Sequence, residues 1–337
     1  MLFHRPSAWL ALVEFHSHAR GKRIVAAKLE QLTKITKMIT VIIPHLDQPE
    51  MLRRCLTSLH AQRPTQQEVE IIVVDNGSKQ LPAGLCAGFP AVTLLLELTP
   101  GPGPARNHGA AHASGETLAF IDADCIAHPD WLYEIERCFA ERADIGIIGG
   151  DVRIARQDAN KLTLLEAYES VFAYRMREYI AKQGYSGTGN LAMRAGILSS
   201  VGPFGGIEIA EDRDWGQRAL RQGFRTHYCK QMIVFHPARR SLAEIAAKWE
   251  RHVAHDFNRV RSTRGWWPRW ILRSFAVALS PAAELLRVGL SDRIEGPRAR
   301  MLAMYGVVLV RLYRCKVMLA LAFGADASRI VGRWNRA

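Results

Sequence analysis

The chain has 337 residues, 48% of them hydrophobic and 23% charged, enough to bury a sizeable core in one large domain or one domain plus an appendage. Its six cysteines form no CxxC pair and no cysteine–histidine cluster at zinc spacing, so they read as free thiols in a reducing compartment rather than as a disulfide scaffold or zinc finger. The net charge of +13 belongs to the ends: from Arg239 onward 19 Lys and Arg face 7 Asp and Glu, while residues 38–238 are mildly acidic, and with no nucleic-acid-binding motif present, nucleic acid is not expected as a partner.

In chain order, residues 1–37 read as an N-terminal extension. Its apolar stretch over 8–13 is stopped by Glu14 without a cleavage pattern, and Met38 opens a clean strand. Residues 39–43 form a short β-branched run ended by Pro44. Met51, Leu52, Cys55, Leu56 and Leu59 recur at helical spacing over 50–61. A second strand over 69–74 stops at Asp75-Asn-Gly-Ser78, and 92–96 is a weaker third. A small-residue helix is expected over 104–114 and a fourth strand over 117–121. This alternation predicts an α/β fold with a mostly parallel central sheet flanked by helices. Ligands of such sheets bind beyond the carboxyl ends of the strands, where His45, Asp47, Asp75, Asn76, Asp122 and Asp124 fall.

After Pro237 the character changes, and residues 239–337 read as a basic helical appendage to a catalytic domain over 38–238. Leu242, Ile245, Ala246, Trp249, Val253, Phe257 and Val260 make an apolar stripe, with Lys248, Arg251, His255 and Arg259 off it. Gly265-Trp-Trp-Pro268 breaks this helix, and two apolar, Arg-flanked segments follow over 271–290 and 301–323. Arg311, Arg314 and Lys316 interrupt the last, so no spanning helix is expected. The appendage either lies in a membrane interface or packs on the catalytic domain.

Four segments carry chemistry. Phe120-Ile-Asp122-Ala-Asp124 ends an apolar strand in two carboxylates, the ligand type a hard cation such as Mg²⁺ or Mn²⁺ takes beside substrate phosphates; a capped strand-end turn would look the same. Glu211-Asp212-Arg-Asp214 precedes helical periodicity, so it is either a capping cluster or the place of a general base. Arg106, in Gly101-Pro-Gly-Pro-Ala-Arg106, reaches a phosphate or makes an ion pair; the intervening prolines do not fit a dinucleotide fingerprint. The glycine-dense loop over 184–190, with Gly189 and Asn190, lets backbone approach a ligand or is a turn.

In this order and spacing the segments resemble the family 2 glycosyltransferases of GT-A fold, over about residues 40–237. The matching stretches are VIIPHLDQPEMLRRCLTSL, IIVVDNGS, GPGPARNHGA, LAFIDADC, GTGNLAMRA and EDRDWGQRALRQGF. The resemblance implies an inverting, non-processive transfer of one sugar from a nucleotide diphosphate sugar, UDP-linked by preference, to an acceptor hydroxyl. It implies Asp75, Pro44 and His45 around the nucleotide base, Arg106 near the diphosphate, Asp122 at the ribose or beside the metal, and Asp124 as metal ligand with His236 as a further one. Asp212 would be the catalytic base, with Glu211, Gly189 and Asn190 positioning acceptor or donor sugar. His45-Leu46-Asp47 departs from the hydroxyl residue, Tyr and Asn common after the first proline in the family. The expected acceptor is a glycan or lipid-linked acceptor of bacterial surface-polysaccharide assembly, met by a cytoplasmic enzyme peripheral to the inner face of the plasma membrane. A processive synthase would carry spanning helices and a Gln-x-x-Arg-Trp motif, neither of which is found. A non-catalytic nucleotide-sugar-binding protein would have lost some of the carboxylates.

Overall fold

A computed structural model describes residues 38–158 and 161–326, so the N-terminal extension expected over 1–37 lies outside the described residues. The elements run β1 (Met38–His45), α1 (Pro49–His60), β2 (Glu68–Asp75), α2 (Ala83–Cys86), β3 (Val92–Leu96), α3 (Pro102–Ala111), β4 (Thr117–Ile121), β5 (Ile126–Ala127) and α4 (Trp131–Glu141). Then come β6 (Ile147–Ala155), α5 (Leu164–Phe172), α6 (Met176–Gln183), β7 (Asn190–Arg194), α7 (Ala195–Val201), α8 (Glu211–Arg221) and β8 (Thr226–Pro237). Four further helices close the described chain: α9 (Leu242–Val260), α10 (Trp266–Leu279), α11 (Leu285–Gly289) and α12 (Gly296–Ala322), with a 3₁₀ turn at Ser280–Glu284.

The strands form one sheet in the order β3-β2-β1-β4-β7-β6-β8-β5. β3, β2, β1 and β4 are parallel, as are β6 and β8; β7 runs antiparallel to both β4 and β6, and β5 to β8. The sheet is therefore mixed, with parallel pairings in the majority. β1 is buried on both sides because helices cover both faces of the sheet. Ile39, Val41 and Ile43 pack with α1 and α4, while Ile42 packs with the α3 and α8 side. α1 starts on Pro49, whose missing N–H costs nothing there, and presents Leu52, Cys55, Leu56 and Leu59 to the sheet.

The small residues of α3 have a packing reason. A Cβ added at Gly109 would meet Ile42 Cγ2 at 2.7 Å and Val74 Cγ2 at 3.0 Å, so the glycine lets the helix lie close against β1 and β2. This sets the height at which Arg106 leaves the helix.

The C-terminal helices pack on the catalytic body, the second of the two expectations for the appendage. Ala167, Tyr168 and Val171 of α5 meet Ala299, Ala303, Val307 and Val310 of α12. Gly306 makes the close approach: a Cβ there would stand 2.7 Å from that of Tyr168. Val253, Phe257, Trp270, Met318 and Leu321 join α9, α10 and α12 in a core of their own. Arg293 reaches back to the buried Asp151 of β6. α9 ends earlier than expected, at Val260, and Gly265, in the left-handed region at φ 67, stands instead at the N-cap of α10. Pro268 does not prolong the break, because it falls in the first turn of α10 where no intrahelical N–H bond is lost. No helix among the described residues is long and apolar enough to cross a membrane.

Candidate active site

At the carboxyl ends of β1 and β2, His45 and Asp75 stand opposite in register, and His45 Nδ1 lies 2.8 Å from Asp75 Oδ2. Ser78 donates its N–H and hydroxyl to the same carboxylate, and Gly77 N–H completes the set. Burial raises the Asp75 carboxyl, but the bonds from Ser78 and His45 outweigh it and hold the group below its ordinary range. Both oxygens are thus taken, and Asp75 and His45 are buried. They fasten the two strand-end loops together, and Pro44 precedes them in β1.

Arg106 organises the next layer. It is buried, with Nη2 2.7 Å from Asp122 Oδ1 and Nη1 3.2 Å from Glu211 Oε1. One cation thereby joins carboxylates 89 positions apart in sequence, from the end of β4 and the start of α8. Asn107, beside it, exchanges two hydrogen bonds with the backbone of Phe204, at 2.8 and 2.9 Å, which fixes the loop leading into α8. Gly103 allows that loop its close approach, since a Cβ would clash with Gly205 O.

Asp212 follows Glu211 in the first turn of α8. Burial first, and then the neighbouring Glu211 carboxylate, push Asp212 up to about 7, against the pull of Arg106. A carboxylate in that range takes a proton near neutral pH and gives it up again. No side chain of the acidic cluster makes an N-cap bond, since the N-cap is Ala210, but Glu211, Asp212 and Asp214 all lie in the first turn, where the helix dipole favours carboxylates.

Asp124 comes together with His236 because the antiparallel pairing of β5 with β8 brings Val234 and Phe235 alongside residues 126–127. His236 Nε2 lies 3.3 Å from Asp124 Oδ2 and 3.0 Å from the Tyr174 hydroxyl. Burial raises Asp124, but the bond and charge of His236 outweigh it and lower the carboxyl; burial lowers His236, and Asp124 in turn raises it. Tyr174 sits at φ 48, a conformation non-glycine residues rarely hold and one that gathers at functional sites.

Gly189 and Asn190 complete the floor. A Cβ on Gly189 would stand 2.4 Å from Asp122 Oδ2, so only glycine leaves that carboxylate its position. Asn190 is buried with its amide fully used: it donates to Asp151 O and Met232 O and accepts from the Trp131 indole at 2.8 Å.

Asp122, Gly189, Asn190, Asp212 and His236 line one cavity of about 260 Å³, whereas Pro44, His45, Asp75, Arg106, Asp124 and Glu211 are not part of its wall. Five of its lining residues fall outside every segment singled out in the sequence: Val152, Tyr174, Met176, Tyr179 and His252. Lys248, expected on the solvated face of the amphipathic helix, also lines the cavity. Periodicity separates the apolar stripe of a helix from the rest but cannot say what the rest faces.

The family model described as Glycosyl transferase family 2 matches residues 40–200. Glycosyltransferase AglE of Haloferax volcanii is 32% identical over 216 residues, which span 62% of this chain and 69% of AglE. An uncharacterized glycosyltransferase of a Nostoc species, alr2836, is 27% identical over 194 residues, 54% of this chain and 58% of its own length. Among solved structures, a mannosyltransferase from Pyrobaculum calidifontis in complex with GDP-Man and Mn²⁺ aligns over 97% of this chain and 90% of that one, at a TM-score of 0.49 and 17% identity.

Proposed function

The chain belongs to glycosyl transferase family 2, and from that premise we propose that it transfers one sugar from a nucleotide diphosphate sugar to an acceptor hydroxyl by in-line displacement with inversion. Its mixed α/β sheet is the GT-A fold of that family. The observation that carries the mechanism is the gathering of Asp122, Asp212 and His236 on one cavity, with Arg106 tying Asp122 to Glu211 behind it.

Asp212 is the base in this reading. It takes the proton of the acceptor hydroxyl as the new bond forms, and a carboxyl poised near 7 serves that role at neutral pH. Glu211, held by Arg106, fixes the first turn of α8 and so the direction from which Asp212 approaches. Asp122 and the Gly189 backbone shape the floor under the donor sugar. Asp124 and His236, an oxygen and an imidazole nitrogen 3.3 Å apart, form a donor pair that fits Mg²⁺ or Mn²⁺ with positions left for water and phosphate oxygens. Such an ion, when bound, supplies charge neutralisation for the departing diphosphate. The UDP preference, the lipid-linked acceptor and a place in bacterial surface-polysaccharide assembly belong to the same reading.

The test is a titration of purified protein with UDP- and GDP-sugars, with and without Mn²⁺, for wild type, Asp124→Ala and Asp212→Asn. The expected pattern is Mn²⁺-dependent binding lost by at least about tenfold in Asp124→Ala. Asp212→Asn should bind the donor but lose transfer by about 10²-fold or more. Folded wild-type protein that binds no nucleotide sugar would refute the reading and favour a non-catalytic scaffold.

A cytoplasmic, peripheral position at the inner membrane face is supported by the outer surface of the C-terminal helices. Leu272, Phe275 and Leu279, spaced along one face of α10, and Leu285, Leu286 and Leu290 are each more than half exposed. Arg264, Arg269, Arg273 and Arg298 are exposed among them. The full chain should sediment with vesicles containing anionic lipid, and Leu272→Asp with Leu286→Asp should abolish this. Equal recovery of both proteins in the supernatant would remove the membrane from the proposal.

A further inference from the structure

α9 contributes a part of the cavity wall that the mechanism above does not use. Lys248 and His252, four residues apart and so on one face of the helix, both line the cavity that holds Asp122 and Asp212. The helix is held on either side of them. Ile245 packs with Tyr168 of α5 and Val307 of α12, while Val253 and Phe257 pack with Trp270 and Met318. The two side chains therefore stand at fixed positions rather than on a mobile tail.

Neither has a carboxylate of its own within ion-pair distance among the described residues. The nearest acidic influence on Lys248 is Glu169, and that carboxylate is engaged by the Arg239 side chain and accepts the Arg239 N–H. Other cations crowd the place. Burial first, and then the charges of Arg239 and Arg251, hold the Lys248 ammonium down to about 8, with Glu169 opposing. Burial, then Lys248, Arg251 and Arg314, lower His252, with Asp256 opposing. Arg314 is itself stacked at 3.9 Å over Trp249, which lies between the pair in sequence and against the His252 ring. A half-buried lysine among like charges costs stability that no internal partner returns, and an anion arriving from solution would relieve it.

We propose that Lys248 and His252 form a subsite on the α9 wall of the cavity for a phosphate or diphosphate group carried by a substrate. An ammonium and an imidazole one helical turn apart offer point donors for phosphate oxygens, while the carboxylates elsewhere on the cavity would repel such a group. Two substrates could present it: the donor, through its nucleoside diphosphate, or an acceptor whose sugar is itself linked through phosphate. The inference rests on the transferase reading for its place in the reaction.

The test measures binding of inorganic pyrophosphate, of UDP and GDP with Mn²⁺, and of a short isoprenyl diphosphate to the full chain, as wild type, Lys248→Ala, Lys248→Arg and Lys248→Ala/His252→Ala. Pyrophosphate binding should weaken about tenfold in Lys248→Ala, further in the double variant, and recover to within about threefold of wild type in Lys248→Arg. A parallel loss for the nucleoside diphosphates assigns the subsite to the donor. A loss confined to the isoprenyl diphosphate assigns it to the acceptor. Either upholds the subsite. Affinities of Lys248→Ala and the double variant equal to wild type for all probes overturn it, as does wild type that binds none of them. If nucleoside diphosphates alone fail to bind wild type while pyrophosphate binds through Lys248, the transferase reading falls and the subsite stands.

Discussion

Replacing Asp212 by Asn should stabilise the fold, and by more at high pH than at low. In the folded chain burial and Glu211 raise the Asp212 carboxyl from 3.8 to about 7. The folded state therefore holds a proton there that the unfolded state releases, and stability falls as pH rises from about 4 to 7, then levels off. At about 1.4 kcal/mol per pH unit this shift corresponds to roughly 4 kcal/mol. Asp212 is partly accessible along the cavity, so screening halves this to about 2 kcal/mol. Asn keeps an N–H donor for Glu211 and carries no charge, so the variant escapes the penalty. For a chain of this size the gain amounts to an increase of roughly 3–6 °C in melting temperature at pH 8, and about a third of that at pH 5. The assay is thermal unfolding of both proteins across that range in chelator. A gap between them that does not grow with pH, or a variant less stable than wild type at pH 8, would show that Asp212 ionises without cost and that its poise near neutrality is not real.

Gly189→Ala should lower the melting temperature by roughly 2–5 °C, because its methyl meets the Asp122 carboxylate, which can swing away only by leaving the buried Arg106. That swing breaks the Arg106–Asp122 pair at the cavity, so donor turnover should drop by about 10²-fold; unchanged turnover would remove Asp122 from the site. Arg293→Ala leaves the buried Asp151 with Arg153 at 3.1 Å and the Tyr228 hydroxyl as its remaining side-chain partners and should cost about 3 kcal/mol in denaturant unfolding. A loss below about 0.5 kcal/mol would mean that the C-terminal helices are held by their apolar contacts alone.

The sequence by itself determined β1 to β4, the helices α1 and α3 and the start of α8, because their signals are local, whereas β5 to β8 and the helices α4 to α7 carried none strong enough to read. The β-branched runs of β1 and β2, the apolar spacing of α1 and the strand ending in Asp122-Ala-Asp124 each lie within about a dozen residues. It also named the carboxylates of the site, since acidic groups at strand ends and helix starts stand out against apolar surroundings. What each group touches was a tertiary matter. That Arg106 bridges Asp122 and Glu211, that His45 faces Asp75, and that Asn190 anchors Trp131 depend on residues 16 to 105 positions apart. The C-terminal helices make the contrast plainest. Their periodicity separated apolar from basic positions, but whether a basic position faces water or a cavity depends on what lies across from it. Only the packing of α12 on α5, with α9 beside it, turned Lys248 and His252 toward the carboxylates. Long-range contacts carry no local pattern of their own, so they become visible only when the chain has closed.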